Sequence, residues 1–156
     1  MSKLAKAFGS KYEQHKLSML TRTFELGDHT FKVRVPSVAE IESIYDYFRN
    51  PDEAAVEAAY QKLIENIKDQ TGEGVVKTDD DIVIEGRSMR EAAKNKVVLQ
   101  YRIVEYFKFL IPETNESLAD LTYADIEEDF PLSIQIKIVD KINEAISPDY
   151  KEARGK

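Results

Sequence analysis

The chain has no cysteine and no tryptophan, and only six glycines, five prolines and two histidines among 156 residues. Without cysteine there are no disulfides, thiolate metal sites or cysteine nucleophiles, which is the usage expected of a cytoplasmic protein. The few glycines form neither a G-x-x-x-x-G-K-S/T nor a G-x-G-x-x-G run, so no segment reads as a phosphate cradle or a cofactor loop. His15 and His29 lack an H-x-x-x-H spacing and a matched serine nucleophile, so neither is read as catalytic or metal-binding. No apolar run approaches the roughly 20 residues of a membrane span. The opening M-S-K-L-A-K-A-F-G-S-K is basic but has no apolar core of a secretion signal. We therefore expect no membrane, no cofactor and no metal.

What is present is a well-charged chain able to build a core. Hydrophobic residues make up 42%, enough at this length for one domain. The net charge of -7 opposes nonspecific nucleic-acid binding, which runs on phosphate neutralisation by Lys and Arg. The charge is uneven. Residues 1–22 carry five basic residues against Glu13, a net of +4, which leaves -11 for the remainder, and residues 113–129 hold seven acids and no base. Such a chain has a solvated basic arm, or an arm that docks on its own body or on an acidic partner. The boundaries read from this are a basic arm over 1–21, free to move, one hairpin-plus-helices domain over 22–148, and a polar tail over 149–156.

Periodicity predicts a mainly α (α+β) fold with one N-terminal β-hairpin. Residues 3–20 form a helix weakened at Gly9-Ser10, with Leu4, Phe8 and Tyr12 on one stripe. Phe24 and Leu26, then Phe31, Val33 and Val35, alternate with polar residues at the period of half-buried strands, with Gly27-Asp28 as the turn. Pro36 ends the second strand, and Ser37 with Glu40 makes a capping box for a helix from Val38 to about Arg49, whose apolar face holds Ile41, Ile44, Tyr45 and Phe48. A second helix starts at an Asp52 cap, carries Val56, Tyr60, Leu63, Ile64 and Ile67, and stops at Gly72. Val75-Val76 and Ile82-Val83-Ile84 either pair as a second small hairpin or form a surface loop. Ser88 caps the longest helix, to about Leu110, which carries two apolar stripes, Leu99 among them. Thr122 with Asp125 caps a short helix ending near Asp129. Phe130-Pro131 opens a last helix, to Ile146, apolar nearly all round its middle and so expected to be buried on more than one side. The helices at 88–110 and 130–146 are the expected centre of the core.

Two groups of residues invite a functional reading. Asp79-Asp80-Asp81 offers three carboxylates to a hard cation and would serve a small metal-dependent hydrolase, yet in extended chain at most two of them converge and the calcium-loop spacing is absent. A solvated loop is the simpler reading. The clusters Tyr45–Phe48 and Tyr106–Phe109 cannot be wholly buried, because helix neighbours point about 100° apart. Tyr47, Tyr106 and Phe109 are therefore the candidate partner-binding residues, with packing under the hairpin or a neighbouring helix as the equal alternative. A helix-turn-helix regulator would need a basic recognition helix, whereas these helices are mixed or acidic.

The stretch Arg22–Tyr47, with its F-x-L-G-x-x-T-F-K-V-R-V-P-S-V-A-E wording, resembles the tail assembly chaperones of long-tailed bacteriophages. Phe130–Asn143, F-P-L-S-I-Q-I-K-I-V-D-K-I-N, resembles the C-terminal F-P-x-x-x-Q-x-x-I-V helix of the same family. The two cover about a quarter of the chain. The resemblance implies a non-enzymatic protein of the host cytoplasm that binds the tape measure protein and tail tube subunits. It would keep them soluble until the tube polymerises and be absent from the mature virion. It also implies a longer form made by frameshifting near the C-terminus, for which A-R-G-K is compatible wording, and leaves room for a homo-oligomer. No individual functional residue carries over.

Overall fold

Seven helices and five short strands make up the described residues, 3–67, 69 and 72–147, of the computed structural model. The architecture is mainly α, of the α+β class, as the periodicity predicts. The polar tail expected over 149–156 lies outside the described residues, as does the A-R-G-K end. The contacts divide the described chain into two compact units, residues 3–38 with 103–147 and residues 39–102. This division falls inside the stretch 22–148 that the sequence reads as one domain.

The first unit is built on the hairpin. β1 (Thr21–Leu26) and β2 (His29–Arg34) pair antiparallel from Thr21↔Arg34 to Leu26↔His29. The two-residue turn has Gly27 at φ 61° while Asp28 keeps a negative φ. That is the II′ pattern, whose twist matches the strands and which needs glycine at its first central position. Phe24 and Val33 are buried and face the core, and the cross-strand pair Phe24–Phe31 stacks with ring centroids 5.1 Å apart. Residues 109–111 extend β2 on its other edge: the Arg34 N–H donates to the Phe109 carbonyl at 2.9 Å and the Ile111 N–H to the Lys32 carbonyl at 2.8 Å. Nothing in the alternation pattern forecast this third segment.

Before the hairpin, the weak N-terminal helix is two helices, α1 (Lys3–Phe8) and α2 (Ser10–Met19), broken at Gly9, whose φ of 83° no helix accepts. The Leu20 carbonyl accepts the Val35 N–H at 2.7 Å, so this arm is tied to the hairpin at its C-terminal end. Following the 109–111 segment, α6 (Tyr123–Asp129) starts with the expected box, Thr122 Oγ1 accepting the Asp125 N–H and Asp125 accepting the Thr122 N–H. α7 (Leu132–Ile146) packs against both strands of the hairpin. Its buried residues are Gln135, Ile138, Val139 and Ile142, a single i, i+3, i+4, i+7 stripe. The expectation of burial on several sides is corrected here. Ile134, Ile136 and Ile138 are two apart, about 200° around the axis, so one stripe cannot take them all. Leu132 and Ile136 are left 47% and 40% exposed.

In the second unit, α3 (Val38–Arg49) buries Ile44 and half-buries Ile41, Tyr47 and Phe48, while Tyr45 is exposed. α4 (Glu53–Ile64) begins at Asp52, whose carboxylate accepts the Ala54 N–H at 3.2 Å. It ends at Ile64, well before the expected stop at Gly72. The segment that could have been a loop is a three-stranded antiparallel sheet: β3 (Val75–Lys77), β4 (Ile82–Ile84) and the two-residue β5 (Arg87–Ser88). Its Glu85-Gly86 turn has both residues at positive φ, 53° and 79°, as a type I′ hairpin requires. α5 (Met89–Phe107) starts in this unit and ends in the first. It buries Ala93, Ile103, Tyr106 and Phe107, whereas Leu99, expected inside, is 36% exposed.

Candidate functional site

Two of the three aromatic residues expected at the surface are in the core. Tyr106 is 2% and Phe109 4% exposed. Tyr106 lies three residues after Ile103 and shares its face of α5. Phe109 lies past the helix end, where the chain turns to join β2, and the Arg34 guanidinium sits 5.1 Å from its ring centroid. Neither presents a surface to a partner. Tyr47 is half-buried, its ring stacked on Tyr101 with centroids 3.7 Å apart and planes 14° apart. The cluster reaches solvent instead through Tyr45, edge-on to Phe48 at 5.6 Å.

The aspartate run is engaged in holding the second unit together. Asp81 accepts from the Ile82 N–H at 2.8 Å, from Ser88 Oγ at 2.5 Å and from the Arg90 N–H at 3.0 Å, while Ser88 Oγ accepts the Glu91 N–H at 3.1 Å. The two side chains together cap α5 across a gap of seven residues. Partial burial pushes the Asp81 carboxyl up, but the hydrogen bonds from Ser88, Arg90 and Ile82, with the Arg90 charge, outweigh it and hold the group below its ordinary value. Asp80 accepts from Thr78 Oγ1 at 3.1 Å. Among the described residues no group of three or more His, Asp or Glu side chains is arranged to hold a metal ion.

Arg90 extends this network. It donates to the Asp80 carbonyl and to Glu57 of α4, and its guanidinium lies 4.0 Å from the ring centroid of the buried Tyr60. The Arg90 hydrogen bond, with a second one from Gln61, holds the Glu57 carboxyl below its usual range, while burial followed by the Asp81 charge raises the Tyr60 hydroxyl. An open cleft of about 450 Å³ lies beside this pair, lined by Arg49, Asn50, Glu53, Val56 and Lys94. Its charges are of both signs, and it holds no nucleophile paired with a base.

In the first unit, a groove of about 270 Å³ runs beside the hairpin turn, lined by Phe31, Leu110, Ile111, Pro112 and Leu118 with His29, Lys32 and Glu113 around it. His29 Nε2 lies 3.6 Å from Glu113 Oε1, an exposed pair that attracts when the imidazole is protonated. His15 is exposed on α2. The same unit exposes Leu4, Phe8, Met19, Leu20, Leu132 and Ile136. Among the described residues no helix is long and apolar enough to cross a membrane.

Gln135 is the residue that sequence reasoning passed over. It is 1% exposed, its amide donates to the Phe130 carbonyl at 2.8 Å, and its Oε1 accepts the Tyr123 hydroxyl at 2.8 Å. The signal available was a polar residue at the i−3 position from Ile138 on an otherwise apolar stripe. The F-P-x-x-x-Q wording is thereby explained as a clamp that fixes the α6–α7 corner. Comparisons with protein-family models, curated proteins and solved structures found no match.

Proposed function

We propose that the protein is a non-enzymatic tail assembly chaperone that binds the tape measure protein and tail tube subunits before the tube polymerises. One observation carries the reading. The hairpin of the Arg22–Tyr47 stretch and the Phe130–Asn143 helix are the two places where the chain resembles that family. They are far apart in sequence, yet α7 packs directly on β1 and β2. The hairpin part of the first stretch and the α7 stretch therefore share one packed unit, with Gln135 bonded to the first residue of its own motif. The apolar side chains left exposed on this unit add support, since a protein that keeps aggregation-prone clients soluble must cover their apolar surface reversibly.

Co-expression tests the proposal. With this protein, the cognate tape measure protein stays in the soluble fraction and co-purifies with it. Equal precipitation of the tape measure protein with and without this chain contradicts the reading.

A further inference from the structure

The two edges of the hairpin differ. On the β2 side, residues 109–111 pair with Lys32 and Arg34, and Pro112 then ends the run. On the β1 side no strand pairs among the described residues. The two-residue turn closes at Leu26↔His29, so Arg22, Phe24 and Leu26 exchange hydrogen bonds with β2 while Thr21, Thr23 and Glu25 turn their N–H and C=O groups away from it. The bonds of Arg34, Ile111 and Val35 fit the same alternation. The Thr21 carbonyl accepts from the Arg22 guanidinium at 3.3 Å. Thr23 and Glu25 are exposed, and their backbone groups meet no partner among the described residues. The register is continuous from Thr21 to Leu26, and neither a bulge, a proline nor a lysine guards this edge.

We infer that the β1 edge takes up an extended segment of the tape measure protein as an added strand. The open edge is independent of the chaperone reading, and the identity of the partner rests on it. Thr23 and Glu25 offer donor and acceptor pairs two residues apart, about 7 Å, the spacing at which another extended backbone presents its own. The side chains set the chemistry of the segment. Residues entering beside the buried Phe24 and the half-buried Leu26 are apolar, and those between them are polar. The exposed Glu25 carboxylate forms no ion pair among the described residues, so a lysine or arginine of the segment stands against it. The β1 edge of a second copy does not supply this cation, because its own outward residues are Thr21, Thr23 and Glu25.

Amide hydrogen exchange of the full chain, alone and co-purified with the tape measure protein, tests the inference together with two variants. In the free chain the Thr23 and Glu25 amides exchange fast, and in the complex both are protected. Thr23→Pro removes an N–H that no β2 carbonyl accepts, so the hairpin ladder and the melting temperature are kept while capture of the tape measure protein falls about ten-fold or more. Glu25→Lys, which sets base against base, also weakens capture. If Thr23→Pro proves unstable, protection of the two amides in the wild-type complex decides alone. A wild type that captures the tape measure protein while both amides exchange as in the free chain overturns the inference and leaves the chaperone reading standing. So does a folded Thr23→Pro variant that captures like wild type. Slow exchange of both amides in the free chain shows the edge already covered, by a second copy or by the chain itself, and overturns it too. A wild type that captures no tape measure protein overturns the reading and the inference together.

Discussion

The two units are held together by different means. In residues 3–38 with 103–147 the core is apolar: Phe24, Val33, Ile103, Tyr106, Phe107, Phe109, Ile126, Ile138, Val139 and Ile142 are buried, with Gln135 as the one buried polar side chain. Among the described residues of 39–102, only Ile44, Tyr60, Ile82 and Ala93 reach that degree of burial. There the order comes from a chain of polar contacts, Asp81 to Ser88 and the α5 backbone, Arg90 to Glu57, and Arg90 over Tyr60. Apolar burial is insensitive to pH and to moderate salt, whereas capping carboxylates and ion pairs respond to both. The first unit should therefore be the more sensitive to lost volume, the second to lost charge.

The largest effect is expected from truncation in the first unit. Ile138→Ala and Ile103→Ala each remove side chains 0% and 1% exposed, and each should cost about 2–5 kcal/mol in denaturant unfolding. Losses below about 1 kcal/mol at both sites would place the core elsewhere. Gln135→Leu comes next, at about 1–3 kcal/mol, because the Phe130 carbonyl loses its buried donor and the Tyr123 hydroxyl its acceptor. Gln135→Glu, which keeps an acceptor but loses the donor, separates the two contributions.

The second unit should answer to charge. Asp81→Asn keeps one acceptor for the backbone but loses the charge and the oxygen that accepts from Ser88, and should cost about 0.5–1.5 kcal/mol at neutral pH, the worth of one hydrogen bond. The sign of its pH dependence follows from the depressed carboxyl. The stability it confers is fully present above the ordinary value near 3.8 and disappears as pH falls through the lower folded value. The gap between wild type and Asp81→Asn should thus be constant through neutral pH and close only in that acid range. Hydrogen exchange should place the loss in residues 72–102. Arg90→Met should have a smaller effect, in the same residues, and one that shrinks in high salt, since its Glu57 partner is largely exposed. The smallest expected effect is none: calcium or EDTA should leave the melting temperature of wild type and of Asp79→Asn/Asp81→Asn unchanged.

What could be read in the sequence was local. The Gly27-Asp28 hairpin, the Asp52 cap and the Thr122–Asp125 box are signals contained within a few residues, and each formed where expected. What could not be read was set at a distance. Asp81 caps a helix that starts eight residues later, Phe109 and Ile111 join β2 from the far end of the chain, and Gln135 finds Tyr123 across a helix corner. For the same reason the pattern leaves burial and exposure of Tyr106 and Phe109 as equal alternatives, and both are buried. A helical wheel shows which residues share a face, but burial depends on which element arrives to cover it. Nor did composition distinguish which of the many isoleucines of α7 face the hairpin.

The proposed contact with the tape measure protein is tested most directly in cells producing phage tail proteins. An affinity-tagged copy of this chain should capture the tape measure protein before tubes form, and mass spectrometry of purified particles should detect no peptide of the chain. Capture without the tape measure protein, or peptides of this chain at stoichiometric level in finished particles, would contradict the proposed function.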